Sequence, residues 1–330
     1  MNPLTVIMPV YNGEMYLEEA VDSILNQTFK DFKLLILNDN STDSTPEILQ
    51  AYQKKYQRVE VINKSENVGP ANLRNEGIER AQSEFVALMD ADDIALPTRF
   101  EKQMNVFKTH PNIGVCGTWF TFFGDKEKLI KHNVKPEALK VQFLSSCGIG
   151  NPTVMFRKSA IKDFRFEHQY VPAEDYGLWS EVIQVTDFYN IPESLLNYRW
   201  HPNNISQTKE DNLKKANVLI KKRQLEHFGI NKDKENIDHY LYAVSFQRHL
   251  SPETIKSVVT ASKQLKERNR KTNYYHPEIF EAHIDKVMIR TIRNASSYST
   301  NFYKFLKNES GYFDKIPLLD KTVLWFKCLF

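Results

Sequence analysis

Cysteine is scarce in this sequence, and long apolar runs are absent. The three cysteines among 330 residues lie far apart, without the spacing of a metal site. They therefore predict reduced thiols rather than a disulfide framework. No apolar run approaches the roughly 20 residues needed to span a bilayer. The first residues also lack the basic region and long apolar core of a signal peptide. We expect a cytoplasmic protein that contacts a membrane, if at all, only at its surface.

The net charge is only +3, but the charges are distributed unevenly. Through Ile205 the chain carries 21 Lys and Arg against 27 Asp and Glu, and from Ser206 onward it carries 23 against 14. An acidic first part and a basic second part indicate different roles. The basic part fits two interpretations that the sequence leaves open, a solvated helical surface or docking to an anionic surface or acceptor.

Short apolar runs alternate with amphipathic segments in the first part of the chain. Four runs have the length and composition of strands: residues 4–8, 32–37, 59–62 and 85–89. Helical patterns follow the first three of them: residues 16–26, a segment opened by residues 44–47, and residues 70–81. This alternation predicts an α/β fold with a mainly parallel sheet flanked by helices. From about residue 209 the pattern becomes charged and helical, so we place a domain boundary near residue 205.

Polar clusters follow the predicted strands where ligands usually bind in such sheets, at the carboxyl ends. They are residues 11–13 after the first strand, residues 38 and 39 after the second, Asn67 beyond the third, and Asp90 after the fourth. An aromatic ring at Tyr11 could stack on a base, and Asp39 could accept hydrogen bonds from a base or a ribose. Arg74 in the third helix suits a diphosphate or a base carbonyl.

Residues 90–93 (DADD) place three carboxylates directly after a buried strand. Like charges at this spacing repel, so a hard divalent cation such as Mg²⁺ or Mn²⁺ is the natural partner. The alternative is an acidic turn that caps the helix near Pro97. The position at a strand end favours the cation site.

Two later clusters are also candidates. Glu174 and Asp175 stand at a predicted helix start. One of them could act as a general base, and the other could simply be an acidic residue that the helix dipole stabilises at the N-terminus. His201 follows an apolar strand and could bind a metal or a phosphate, or could be a turn residue before Pro202.

In this order, the motifs resemble those of family 2 glycosyltransferases, whose catalytic domain has the GT-A fold. The resemblance assigns residues 1–205 to that domain and residues 206–330 to a helical region for docking or packing. Residues 90–95 and 150–155, with the helical C-terminal third, resemble bacterial lipooligosaccharide N-acetylglucosaminyltransferases more narrowly. The matching motifs are residues 9–13, 38–43, 67–69 with 74–77, 90–93, 174–175 with Trp179, and 198–201.

The resemblance implies a nucleotide-sugar site at the strand ends. Tyr11 and Asp39 match positions that hold the uracil of a UDP-sugar, and Arg74 matches a further nucleotide contact. Asp90 matches the carboxylate that faces the ribose and the sugar. The remaining donor-binding candidates in the same motifs are Pro9, Asn12 and Asn67.

The resemblance also implies the metal and the catalytic residues. Asp92 matches the direct ligand of Mn²⁺ or Mg²⁺, and His201 matches a second ligand found in some members. Asp175 matches the catalytic base, and Glu174 beside it assists binding of the acceptor or the donor sugar. One departure is Asn40, where glycine is usual. Because Asn also tolerates the left-handed conformation, this departure changes little.

The implied reaction is an inverting, metal-dependent transfer of a sugar, GlcNAc as first choice, from a UDP-sugar. The acceptor is a saccharide or lipid-linked saccharide of a bacterial surface glycan, such as lipooligosaccharide, O-antigen or capsule. UDP-Gal, UDP-Glc and UDP-GalNAc are alternative donors. No nucleic-acid partner is expected. Residues 316–330 mix apolar, aromatic and basic side chains and fit either the inner face of the membrane or a packed helix.

Two other functions fit the sequence less well. A nucleotidyltransferase also uses a carboxylate-bound metal, but it needs a glycine-rich basic phosphate loop, and residues 11–15 (YNGEM) are not one. A non-catalytic nucleotide- or carbohydrate-binding module is the second alternative. The carboxylates of Asp90, Asp92 and Asp175 argue against it.

Overall fold

The computed structural model describes residues 2–200, 210–230, 235–245 and 249–329. The chain forms two compact units. The first consists of Met1–Leu139 and Cys147–Leu213, and the second of Lys140–Ser146 and Lys214–Phe330. The domain boundary near residue 205 stays a prediction.

Nine strands of the described residues form one sheet in the first unit, in the order β3-β2-β1-β4-β8-β6-β9-β5, with β7 beside β6. The strands are β1 (Leu4–Val10), β2 (Phe32–Asn38), β3 (Val59–Asn63), β4 (Phe85–Leu88), β5 (Ile94–Ala95), β6 (Ile113–Gly124), β7 (Lys128–Ile130), β8 (Met155–Arg157) and β9 (Asp187–Trp200).

The four strands predicted from the first part of the chain run parallel to one another. Beyond β4 the sheet is mixed, because β8 lies antiparallel between β4 and β6, while β9 runs parallel to β6 and antiparallel to β5. The sheet is therefore less parallel than the alternation indicates. The antiparallel pairings involve β5, β7 and β8, which have two or three residues each and are too short to show a periodic pattern.

In residues 2–200, six α-helices accompany the sheet: α1 (Leu17–Leu25), α2 (Thr45–Lys55), α3 (Pro70–Arg80), α4 (Arg99–Thr109), α5 (Pro136–Gln142) and α6 (Glu174–Val182). Both α2 and α3 begin with proline in the first turn, where a missing N–H has no cost. Helix α1 buries Leu17, Val21 and Ile24 at helical spacing. Every residue of β1 is buried, as expected for a parallel strand covered on both faces.

The second unit consists of helices in the described residues: α7 (Glu210–His227), α8 (Glu235–Ser245), α9 (Pro252–Thr272), α10 (Pro277–Arg293), α11 (Thr300–Asn308) and α12 (Leu318–Leu329). Phe280, Ile284 and Met288 of α10 are buried at helical spacing and belong to the core of this unit. Within the described ranges, no helix combines the length and the apolarity needed to cross a membrane.

Candidate active site

The ends of β1, β2 and β3 lie level with one another. Val10 pairs with Asn38, and Asn38 pairs with Asn63. The side-chain amide of Asn38 also donates to Asn63 Oδ1 at 2.9 Å. The segments that follow these strands therefore leave the sheet side by side, as the strand-end rule predicts.

Asp39, the first residue after β2, is 2% exposed and holds the segment before α3. Its Oδ1 accepts the backbone N–H of Val68 at 2.8 Å, and its Oδ2 accepts that of Gly69 at 2.9 Å. The exposed Asn67 donates to the Asp39 carbonyl at 3.4 Å. Gly69 has φ +83°, a conformation that glycine adopts without strain. The nucleotide contact assigned to Asp39 and Asn67 stays a prediction. What the structure adds is that the Asp39 carboxylate anchors the backbone at Val68 and Gly69.

The end of β1 exposes the aromatic ring that the sequence singles out. Pro9 is buried, whereas Tyr11 is 53% exposed. Asn12 adopts φ +50° and its Oδ1 accepts the backbone N–H of Thr42 at 2.8 Å, while its own N–H donates to Ser41 Oγ at 2.9 Å. The first and second strand-end segments are thus tied together, with the Tyr11 ring on the surface beside them.

Arg74 is a buried cation that joins two of the candidate carboxylates. Its Nη2 donates to Asp90 Oδ1 at 2.8 Å, and its Nη1 donates to Glu174 Oε1 at 3.3 Å. Burial alone would lower the pKa of the guanidinium, but the charges of Asp90 and Glu174 outweigh it and raise the pKa. The guanidinium also lies 5.7 Å from the centroid of the Phe166 ring. A nucleotide contact by Arg74 stays a prediction.

Asp175, next to Glu174 in the first turn of α6, has the raised pKa expected of a general base. Burial and then the charge of Glu174 raise its pKa to about 6, although the N–H of Tyr176, 2.7 Å from Oδ1, and the nearby Arg74 act in the opposite direction. A carboxylate in this range is ionised at neutral pH and still accepts a proton readily. The carboxylate's charge, after burial, also raises the pKa of the Cys147 thiol, a neighbour that sequence reasoning did not identify.

Helix α6 is held in place by a buried hydrogen bond outside its acidic end. Trp179 Nε1 donates to Asn151 Oδ1 at 3.0 Å, and Trp179 is fully buried. A Cβ at Gly177 would lie 2.4 Å from the Tyr170 ring, so this position requires glycine. The sequence singled out residues 150–155 only through the resemblance, and the buried contact between Asn151 and Trp179 has no signal in the sequence.

Asp93, which the sequence left as a helix cap or without a role, joins residues 90–93 to the end of β9. It is buried, and its Oδ1 accepts the backbone N–H of Arg199 at 2.9 Å. Arg199 in turn donates from Nε to the Asp92 carbonyl at 2.9 Å and pairs with Glu19. Burial, followed by the charges of Asp92 and Asp90, raises the pKa of Asp93 well above its usual range. The N-cap residue of α4 is Thr98, and Gln27 Oε1 accepts the backbone N–H of Phe100 in the first turn at 3.1 Å. The residue at the cap of α4 is therefore not one of these acids.

Another cation that the sequence analysis missed is Arg99 in α4. It is fully buried, donates to the Leu88 carbonyl at 2.9 Å, and is close enough to Asp93 for each charge to stabilise the other. Burial lowers the pKa of Arg99 to about 9 in spite of Asp93. A lone arginine inside an amphipathic helix usually points to solvent, so sequence alone gives no reason to single it out.

The candidate metal ligands are described only in part. Asp92 is partly exposed at the strand end, and His201 lies outside the described residues. Within the described part of the chain, no group of three or more His, Cys, Asp or Glu is arranged to hold a metal. An accessible carboxylate beside Asp90 nevertheless fits a hard cation, since Mg²⁺ takes only one or two protein carboxylates and fills its other positions with phosphate and water.

Comparisons with known proteins show which family the chain resembles. A family model described as Glycosyl transferase family 2 matches residues 5–165. An uncharacterized glycosyltransferase of Methanocaldococcus jannaschii is 33% identical over 204 residues, which cover 59% of this chain and 70% of that protein. TuaG of Bacillus subtilis, a glycosyltransferase provisionally named for teichuronic acid biosynthesis, is 31% identical over 231 residues. These residues cover 68% of this chain and 90% of TuaG.

Among solved structures, residues 1–349 of S. aureus TarS in complex with UDP-GlcNAc superpose with a TM-score of 0.59. The match covers 87% of this chain and 90% of that one at 17% sequence identity. Likeness at this identity concerns the fold alone. It confirms the predicted GT-A class with its helical C-terminal region.

Proposed function

Because the chain belongs to glycosyl transferase family 2, we propose that it transfers GlcNAc from UDP-GlcNAc to a saccharide of a surface glycan, with inversion at the anomeric carbon and with a divalent cation. That the protein is a glycosyltransferase follows from the family. The donor sugar, the cation, the stereochemistry and the acceptor are the proposal.

The observation that carries the proposal is the convergence of Arg74, Asp90, Glu174 and Asp175. One buried guanidinium binds the carboxylate that follows β4 and the carboxylate that opens α6. Asp175 beside them has its pKa raised to about 6 by burial and by Glu174. Asp90 follows the carboxyl end of a strand, where ligands bind in open α/β sheets, and a carboxylate with a raised pKa such as Asp175 is typical of a catalytic site.

On the donor side, Asp92 and His201 are the residues proposed to hold Mn²⁺ or Mg²⁺. The cation, when bound, would offset the charge of the departing diphosphate. Tyr11 is proposed to stack on the uracil, for which its exposed ring is suited. Asp90, held by Arg74, is proposed to face the ribose and the sugar.

On the acceptor side, Asp175 is proposed to act as the base. It takes the proton from an acceptor hydroxyl while that oxygen forms a bond to the anomeric carbon and the bond from this carbon to the diphosphate breaks. The attack comes from the face opposite UDP, so the configuration inverts and no sugar–enzyme bond is formed. Glu174 remains paired with Arg74, and burial together with the charge of Glu174 keeps the pKa of Asp175 high enough for it to accept the proton.

The choice of donor and acceptor is supported by the names of similar proteins and by the ligand of one of them. TarS has been solved with UDP-GlcNAc, TuaG is named for teichuronic acid, and GgaB of Bacillus subtilis is named for minor teichoic acid biosynthesis. These names support a surface-glycan acceptor, free or lipid-linked, and UDP-GlcNAc as the first donor to try. UDP-Gal, UDP-Glc and UDP-GalNAc remain the alternatives. A lipid-linked acceptor would bring the enzyme to the cytoplasmic face of a membrane.

The proposal is tested by incubating the full chain with each of the four UDP-sugars, with Mn²⁺, with Mg²⁺ or with EDTA, and measuring UDP release. We expect metal-dependent release that is highest with UDP-GlcNAc. Highest release from another UDP-hexose would replace the donor and leave the site intact. Nucleotide binding without any release, with a panel of saccharide acceptors present, would indicate the non-catalytic binding module instead.

A further inference from the structure

Helix α12 leaves one side bare, and that side is apolar. Leu324 and Cys328 are buried on its inner side. Arg293 Nε of α10 also donates to Asp320 Oδ2 at 3.0 Å, which fastens the start of the helix. The outer side carries five of the eleven exposed large hydrophobic side chains of the described residues: Leu318 at 79%, Leu319 at 82%, Val323 at 52%, Trp325 at 45% and Phe326 at 52%.

These five side chains form one continuous surface. Successive residues turn by about 100° around a helix axis, so the five positions and Thr322 occupy an arc of about 160°. Soluble proteins rarely expose so many large apolar side chains side by side unless the surface binds something. The sequence left open whether this segment packs or lies on a membrane. In the structure one side of the helix packs and the other does not.

The charges around the arc indicate what it binds. Lys321, which pairs with Asp314 at 4.0 Å, stands at one border and the exposed Lys327 at the other, and no acid lies within the arc. Asp320 lies outside it and is paired with Arg293. From residue 300 onward the chain has five lysines and three acids, and from Ser206 onward 23 basic residues stand against 14 acidic ones. An apolar surface bordered by lysines is complementary to acyl chains below anionic headgroups.

We propose that the bare side of α12 binds the surface of an anionic phospholipid bilayer, with its apolar side chains entering the headgroup region. Trp325 stands at the edge of the arc, where an indole is suited to the boundary between acyl chains and headgroups. The exposed Lys327 contacts the anionic headgroups. This binding is a property of the second unit and does not depend on which sugar is transferred.

The test is co-sedimentation of the full chain with vesicles of phosphatidylcholine and phosphatidylglycerol in equal parts, and with vesicles of phosphatidylcholine alone. We expect binding to the mixed vesicles, much weaker binding to the neutral ones, and weakening by salt. The Leu319→Glu/Phe326→Glu variant should bind the mixed vesicles at least about tenfold more weakly. The control Leu129→Glu/Val185→Glu adds the same charge at two exposed apolar positions of the first unit and should bind like the unchanged protein.

Two further measurements keep the proposal testable if the glutamate variant folds poorly. The emission of the unchanged protein should shift to the blue on addition of mixed vesicles, and Trp325→Phe should lose that shift. Sedimentation without lipid gives the oligomeric state. A dimer that Leu319→Glu/Phe326→Glu dissociates would assign the surface to a second copy and overturn the proposal. Absence of binding to mixed vesicles, or equal losses in the α12 variant and the control, would also overturn it. None of these readouts uses sugar transfer, so the proposed function can fail or hold independently.

Discussion

Arg74 and Glu174 lie 100 positions apart in the chain, yet Arg74 Nη1 donates a hydrogen bond to Glu174 Oε1 at 3.3 Å. The same guanidinium binds Asp90. The pair therefore joins the end of β4 to the start of α6, and with it the proposed nucleotide-sugar side to the proposed base.

Replacing Asp175 with asparagine should lower kcat for sugar transfer about 10³-fold, because the amide cannot take the acceptor proton. The dissociation constant of UDP should change little, since the side chain is proposed to face the acceptor. Steady-state transfer assays and calorimetric titration with UDP measure the two quantities. Loss of UDP binding together with transfer would contradict the assignment of Asp175 as the base.

Transfer should depend on pH through the same carboxylate. Its pKa is raised to about 6, and the charge of Glu174 is one cause. The base must be ionised, so kcat/KM should fall about tenfold per pH unit below pH 6 and level off above it. In Glu174→Gln the acidic limb should move to lower pH, because a neighbouring negative charge that raises the pKa is removed. A limb that stays in place, or moves upward, would show that another group is titrating.

Arg74→Ala should destabilise the protein by about 3 kcal/mol, because it leaves Asp90 and Glu174 without their buried cation. Arg80→Ala in the same helix is the matched control. Arg80 is half exposed and pairs with Glu76, so its loss should cost less than about 1 kcal/mol. Urea unfolding gives both values. Equal costs for the two variants would mean that the Arg74 pairs add no more stability than a surface pair.

Asp39→Asn should weaken UDP binding about tenfold, since one of the two acceptor oxygens that hold the segment before α3 is lost. Asp43→Asn is a fair control, because the Asp43 carboxylate also accepts two backbone N–H groups, those of Glu14 and Thr45. Titration with UDP compares the variants. The proposed role of Asp39 fails if both substitutions weaken UDP binding to the same extent.

Removal of divalent cations with EDTA should reduce UDP release to background, and Mn²⁺ or Mg²⁺ should restore it. Asp92→Asn should raise the Mn²⁺ concentration for half-maximal release about tenfold, because a carboxylate ligand is lost. Asp163→Asn, at an exposed acid, should leave this concentration unchanged. Full activity in EDTA would exclude the proposed cation.

Much of the fold follows from local patterns. The strands β1, β2 and β4 are recognisable because their apolar runs are almost wholly buried, and β3 because of its short apolar run, although it is only partly buried. The starts of α2 and α3 are recognisable because proline suits a first helical turn. The short strands β5, β7 and β8 cannot be recognised from the sequence, since two or three residues carry no periodicity. They are what makes the sheet mixed.

The sequence by itself determined which residues stand at the carboxyl ends of the strands, because parallel neighbours end at the same edge of a sheet and the polar clusters follow the apolar runs directly. The tertiary structure alone decided how those residues pair. Arg74 meets Glu174, and Asp93 meets Arg199, across 100 and 106 positions of chain. Such partners depend on where β9 and α6 pack, and charge pairing is decided by distance through space and by burial, neither of which a local pattern contains.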